Sequence, residues 1–279
     1  MMHLYEKLSF RIMSGKHLLP ALLLSLLVLP AFRPVDCGAG SITCLWSAEL
    51  TPESCVLVLQ AGGFYPGEIL RKMGGEHPAS LVAPDHEITL TQKTYLKGGF
   101  GLDQAVFELS HRPRPGTTYE LRVANLEERD LFMVQRYDSA PDVLAYRPIQ
   151  LTTAPDTVAQ TLWQPRFSYV RSEIYQYGCG PSVNVNFQLR QPPRDAARHL
   201  WVRVHNPYTD EVQESILAVA EDGGFAVGHG MCVGGFQFTR SQKYTVSVAS
   251  YDTVRGVRGA WTTPRKFPNP WSEDAERGE

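Results

Sequence analysis

The chain has 279 residues, of which 43% are hydrophobic and 20% charged, and its formal net charge is −2. That composition excludes an intrinsically disordered chain, which pairs few apolar residues with a large net charge. With 20 Arg and 7 Lys scattered rather than clustered, it also excludes the basic field of a nucleic-acid binder and a polybasic membrane patch.

Lys7, Arg11 and Lys16 precede an apolar run from Leu18 to Phe32, which Pro20 and Pro30 interrupt. A bilayer-spanning helix needs about 20 apolar residues, so this run is short for an uncleaved anchor. Basic flank, apolar core and small residues after it form a secretory signal peptide, expected over residues 1–39 with Met13 as an alternative start. Cleavage after Ala39 or Ala31 fits, whereas lipid attachment at Cys37 is disfavoured by Pro34 and Asp36 in "PVDC". The remaining chain carries 23 basic and 27 acidic residues, a charge of −4. The expected location is the periplasm, the cell surface or the secreted fraction. Arginine-rich composition and the lack of an N-x-S/T sequon agree with a bacterial source.

With Cys37 removed, Cys44, Cys55, Cys179 and Cys232 remain. An even number is what an oxidising compartment favours. Of the three pairings, proximity in sequence favours Cys44–Cys55 and Cys179–Cys232.

Beyond the leader the apolar period is 2 almost everywhere, which reads as strands. In the first half these are "CVLVLQ" (Cys55–Gln60), "EITLTQ" (Glu87–Gln92) and "AVFEL" (Ala105–Leu109), separated by the turn chemistry of "AGGFYPG", "KGGFG" and "PRPG". "PGEILRKMGG" holds a short helix closed by Gly74, and "NLEERDLFM" another helical turn. Pro115-Gly116 then makes a corner, after which Tyr119, Leu121 and Val123 point inward. "PIQLTTA" closes the first domain.

The second half repeats the theme. "VNVNFQLR" (Val183–Arg190) alternates strictly, as a half-buried antiparallel strand does. "WVRVH" (Trp201–His205) alternates too, with Val202 and Val204 inside. Tyr244, Val246 and Val248 copy the Tyr119 pattern 125 residues later. A tyrosine opening a late strand beside a corner is the tyrosine corner of an immunoglobulin-like sandwich: the ring fills the core and the hydroxyl bonds corner backbone.

These residues carry a family resemblance. "VFELSHRPRPGTTYELRVANL" (Val106–Leu126) resembles the end of a bacterial Ig-like domain, and "YTVSVASYDTVRGVRGAWTTPRKF" (Tyr244–Phe267) resembles the last strands of a fibronectin type III domain. The second copy has Ser241-Gln242 where the first has Pro-Gly. The implied architecture is all-β: two tandem immunoglobulin-like, fibronectin III-like antiparallel β-sandwiches after a signal peptide. The first spans 40–154, a linker 155–165 and the second 166–268. Residues 269–279, polar and proline-capped, are expected to form a disordered tail.

Motifs for chemistry are sparse. There is no G-x-S-x-G elbow, H-E-x-x-H pair or phosphate-cradling loop, so no cofactor is expected. His229 and Cys232 in "GHGMC", with Cys179, could imitate a zinc site; a Cys179–Cys232 disulfide beside a glycine-rich loop is the favoured reading. Asp103 or Glu108 could pair with another carboxylate in space. Trp201, Arg203 and His205 share the outer face of one strand, where they could stack on a sugar or a protein; alternatively Trp201 packs at the sheet rim or under the linker. Arg255 and Arg258 sit in the loop Tyr251–Trp261, at the end of a sandwich where binding residues gather, or in a mobile solvated hairpin. Phe64-Tyr65 could be an exposed anchor or fold back on the sheet. The expectation is an exported non-catalytic protein that binds a protein or glycan, with no nucleic-acid partner and no transmembrane segment in the mature chain. The alternatives are an extracellular hydrolase with an inter-domain site and a structural spacer. Because this fold hosts many roles, the site must decide.

Overall fold

A computed structural model describes residues 41–44, 50–131, 134–138, 145–155, 161–178, 180–190, 198–239 and 243–272. The expected leader with Met13 and Cys37, the linker residues 156–160, Cys179 and the last seven residues lie outside them. All described residues belong to one compact unit, Cys37–Glu279.

The first half contains β1 (Ser41–Cys44), β2 (Val56–Gly62), α1 (Phe64–Lys72), β3 (Ala79–Ala83), β4 (His86–Leu96), β5 (Leu102–Leu109), β6 (Thr118–Val123), α2 (Glu128–Leu131), β7 (Gln135–Asp138), β8 (Ala145–Pro148) and β9 (Gln150–Thr152). Seven strands join in the order β1-β2-β5-β4-β3-β6-β9, and β7 and β8 form a separate hairpin. The path folds over at β4. His86 to Leu90 pair with β3, whereas Leu90 to Leu96 pair with β5, across a bulge at Lys93. Bulges coil a strand, which lets one strand serve both layers. Leu57, Leu59 and Phe107 from one layer then meet Leu81, Tyr119 and Leu121 from the other in a single core. Layers β1-β2-β5-β4 and β3-β6-β9 give the strand order of a constant-type immunoglobulin sandwich. Helix α1 forms where the sequence placed one. It buries Ile69 and Leu70, exposes Tyr65, Glu68 and Arg71, and ends before Gly74, whose φ of +82° suits glycine.

The second half contains β10 (Phe167–Tyr177), β11 (Gly180–Leu189), β12 (His199–Asn206), β13 (Glu211–Ala218), β14 (Gly224–His229), β15 (Tyr244–Asp252), β16 (Val257–Arg258) and β17 (Arg265–Phe267). One sheet runs β10-β11-β14; the other runs β13-β12-β15-β16, with β17 also on β15. Val183, Val185 and Phe187 face Val202, Val204, Val246 and Val248 across the core. Here the fourth strand, β13, pairs with the third rather than joining the opposite sheet, in keeping with the fibronectin type III resemblance. Both halves are thus antiparallel Ig/fibronectin III-like sandwiches.

Both tyrosine corners form. Tyr119 and Tyr244 are fully enclosed. The Tyr119 hydroxyl accepts the Arg114 N–H at 2.9 Å and the Tyr244 hydroxyl accepts the Thr239 N–H at 2.8 Å, each five residues upstream. The repeated spacing gives each core an aromatic plug whose polar end is satisfied.

Three expectations need correction. Cys55 is a free thiol, so the Cys44–Cys55 clasp is not made. The register explains it: Cys44 lies opposite Leu59, four residues along the chain from Cys55. At about 3.3 Å per residue that separates the two Cα atoms by about 13 Å, roughly twice the reach of a disulfide. The start of the expected tail is ordered. Asn269 Oδ1 accepts the Trp271 N–H at 2.9 Å, and the Trp271 indole donates to the Phe238 carbonyl at 3.0 Å, which lays Trp271 against the second core. The end of the expected linker is docked as well, since Ser250 Oγ bonds both the Trp163 N–H and its carbonyl.

The two sandwiches also share a third core. Val56, Val58 and Val106, which point away from the first core, and Leu96 pack on Trp201, Ile216 and Tyr251 of the second sandwich. Gln104 locks this seam. Its Oε1 accepts the Ile216 N–H at 2.7 Å and the Ser215 hydroxyl at 3.0 Å, and its Nε2 donates to the Ile216 carbonyl at 2.9 Å. The amide thereby pairs with the free edge of β13 as a neighbouring strand would. Further along, Phe100 and Gly234 exchange backbone hydrogen bonds of 3.1 and 2.6 Å, and Gly99 donates to Gly235 at 2.8 Å.

Candidate functional site

The alternation of β12 places Trp201, Arg203 and His205 on the outer face, as read from the sequence, but the first sandwich covers part of that face. Trp201 is only 8% exposed and its ring meets Tyr251 edge-on at 5.2 Å. It is therefore a seam residue and not a free platform. Glu214, opposite Arg203 on β13, holds the group together: its carboxylate accepts from the Trp201 indole at 2.9 Å and from Arg203 Nε at 2.6 Å. His205 stands apart, with its Nε2 3.0 Å from Asp210 Oδ1.

Arg255 and Arg258 do not sit on a free hairpin. Asp252, a buried carboxylate, fixes the turn after β15 by accepting the Val254 and Arg255 N–H groups at 2.8 and 3.0 Å. The Val254 carbonyl accepts the Cys55 N–H at 2.7 Å across the seam. A Cβ on Gly256 would stand 2.6 Å from Val56 Cγ1, so the turn touches the first sandwich directly. Arg255 turns back toward Asp252 at 3.6 Å. Arg258 lies over two rings, 4.7 Å from the Trp261 centroid and 5.3 Å from that of Trp201. Arg203 stacks over Trp261 as well, at 4.5 Å.

The result is a ladder of alternating guanidinium and indole groups along the seam, with Arg258 exposed and Trp261 half-buried. Stacking on an aromatic face leaves the edge N–H donors of a guanidinium pointing sideways and available. Glu214 neutralises Arg203 and Asp252 faces Arg255, whereas Arg258 has no carboxylate within ion-pair distance among the described residues. Trp261 and Glu214 were not singled out in the sequence. Trp261 closes the quoted loop and carried no strand pattern, and "EVQESILA" hides the direction of Glu214 behind a weak alternation. Tyr251 contributes a different feature: its hydroxyl is buried without a hydrogen-bond partner, and burial pushes its ionisation above the usual tyrosine range.

The remaining candidates resolve separately. Phe100 lies tilted against the His229 ring at 4.3 Å, His229 Nδ1 lies 2.7 Å from the Gly230 carbonyl, and Cys232 is disulfide-bonded. A sulfur held in a disulfide is no longer a thiolate that can ligate a metal, and among the described residues no three His, Cys, Asp or Glu side chains converge. Asp103 accepts the Tyr95 hydroxyl at 2.6 Å, and Glu108 pairs with Lys93 at 2.7 Å. Burial and Asp103 together raise the ionisation of Tyr95. Tyr65 is exposed on the first turn of α1.

No protein-family model matches the chain, and no curated protein matches it in sequence. Among solved structures it is similar to type I pullulanase from Bacillus subtilis complexed with maltose, at 11% identity and a TM-score of 0.25, over 80% of this chain and 24% of that one. It is similar also to a two-domain fibronectin type III segment of chicken tenascin, at 12% identity and a TM-score of 0.23, over 81% of this chain and 98% of the other. The chicken CNTN1 FN1–FN3 domains match at 9% identity and a TM-score of 0.24, over 77% and 60% of the two chains. The chain thus spans about a quarter of the pullulanase length. With values this low, the sandwich assignment rests on strand order and the two tyrosine corners.

Proposed function

We propose that this chain is an exported, non-catalytic binding protein of the cell envelope or secreted fraction that uses the Arg–Trp ladder at its seam to hold a carboxylate-bearing segment of another protein. The observation that carries this reading is Arg258: a guanidinium oriented by Trp201 and Trp261, exposed, and with no carboxylate of its own among the described residues. Arg and Trp are the side chains that most often anchor protein interfaces, and a pre-oriented Arg loses little freedom on binding. The basic–apolar leader and the disulfide at Cys232 support export, and Cys179 is the proposed partner of Cys232. A hydrolase with an inter-domain site fits less well, because Trp201, Ile216, Tyr251 and their partners fill the space between the sandwiches. The same packing favours a rigid spacer as the second reading.

The test is capture from the native envelope fraction by the mature protein, with a glycan array alongside and Arg258→Ala and Trp261→Ala as comparisons. A protein retained by the wild type and released by both variants supports the reading. Equal retention by the variants, or turnover of a generic ester or glycoside with nothing retained, overturns it. Mass spectrometry of non-reduced peptides tests the Cys179–Cys232 pairing, and N-terminal sequencing of the mature protein tests the leader.

A further inference from the structure

The two outer strands of the second sandwich that run along its length are treated differently. The free edge of β13 is closed by Gln104, whereas β10 ends its sheet with no strand on its other edge among the described residues. β10 is 11 residues long and leaves large apolar groups in solvent: Val170, Ile174, Tyr175 and Tyr177 are 39–52% exposed. A long apolar edge presents unpaired N–H and C=O groups and invites another strand.

The order of side chains along β10 identifies that strand. Ser172, a small residue, lies between Arg171 and Glu173, which point to the same face and pair with each other at 2.6 Å. If a second β10 runs antiparallel about Ser172, each Arg171 faces the Glu173 of the other copy. Val170 then lies across from Ile174 of the second copy, both of them solvent-exposed. The strand is complementary to itself in both charge and apolarity, as a two-fold symmetric contact requires. The bulge at Val170 lies two residues from the dyad, just outside the Arg171–Glu173 pairs.

We infer that the protein is a homodimer in which the β10 strands pair antiparallel about Ser172, continuing the β10-β11-β14 sheet from one copy into the other. The test uses charge reversal on the full mature chain. Light scattering coupled to size exclusion should give twice the chain mass for the wild type. Arg171→Glu and Glu173→Arg should each give one chain mass, because each sets like charges against each other at both ends of the contact. Mixing the two variants in equal amounts should restore twice the chain mass, since each carboxylate at the contact then faces an arginine. The pairing within each chain stays broken in the mixture, so recovery reports contact between copies and not repair of the fold. A wild type with one chain mass at high micromolar concentration overturns the inference, as do single variants that stay dimeric or a mixture that stays monomeric.

Discussion

Replacing Gln104 with alanine removes the clamp between the sandwiches. Gln104 is 1% exposed, and Ile216, the residue it holds by both backbone groups, is fully buried. The substitution deletes three hydrogen bonds, of 2.7, 2.9 and 3.0 Å, and leaves the Ile216 N–H and C=O enclosed without partners. An orphaned buried polar group costs about 1–3 kcal/mol, so the expected loss is about 3–5 kcal/mol. With a urea dependence of about 3 kcal/mol per molar for a body of this size, the unfolding midpoint falls by about 1–1.7 M. Tryptophan fluorescence reads the change directly, because Trp201 and Trp261 lie at the seam. Gln104→Glu does not restore stability, since a carboxylate cannot donate to the Ile216 carbonyl and is costly either to bury charged or to protonate. Gln176→Ala, on the exposed part of β10, stays within about 0.5 kcal/mol of the wild type. A Gln104→Ala midpoint within about 0.2 M of the wild type would refute the clamp.

Three buried tyrosines respond differently to loss of their hydroxyls. Tyr119→Phe and Tyr244→Phe each orphan a corner N–H and cost about 1–2 kcal/mol, additively, because they sit in separate cores. Tyr251→Phe removes an unpartnered hydroxyl and is neutral or stabilising by up to about 1 kcal/mol in the same urea titrations. Because burial raises the Tyr251 ionisation in the folded state, the unfolded chain loses that proton first. The contribution of Tyr251 to stability is therefore whole below about pH 10 and falls as pH rises from there through the raised folded value. Tyr251→Phe flattens this alkaline limb. Two left-handed glycines separate backbone strain from contact across the seam: Gly116, at φ +64°, has nothing within 4 Å of an added Cβ, whereas Gly256, at φ +69°, would meet Val56. Thermal melts should show Gly116→Ala losing about 1–2 kcal/mol and Gly256→Ala about 1–3 kcal/mol more.

Alternation identified which side chains point inward, and the corner motif identified where each sandwich closes. Both signals are local, so they were legible. Alternation does not say what covers an outward face, and for that reason Trp201 was placed on the correct face yet read as a possible platform. A trace of the seam was nevertheless present. Val56-Leu57-Val58-Leu59 and Ala105-Val106-Phe107 are apolar at successive positions, which is the mark of a strand buried on both sides. Cys44 and Cys55 show the opposite failure: closeness in sequence does not survive an antiparallel register that moves the two residues apart. Asn269-Pro270-Trp271 looked like a loose polar end because its order comes from side-chain hydrogen bonds, among them the Asn269 amide on the Thr239 carbonyl and the Trp271 indole on the Phe238 carbonyl, and these leave no periodic pattern.

Two sandwiches with separate cores behave as one body because a third core joins them. Differential scanning calorimetry of the mature protein tests it most directly. A single transition whose calorimetric and van't Hoff enthalpies agree is the predicted result. Two resolved transitions, or one peak whose calorimetric enthalpy is about twice the van't Hoff value, would mean that the halves unfold independently and would contradict the claim.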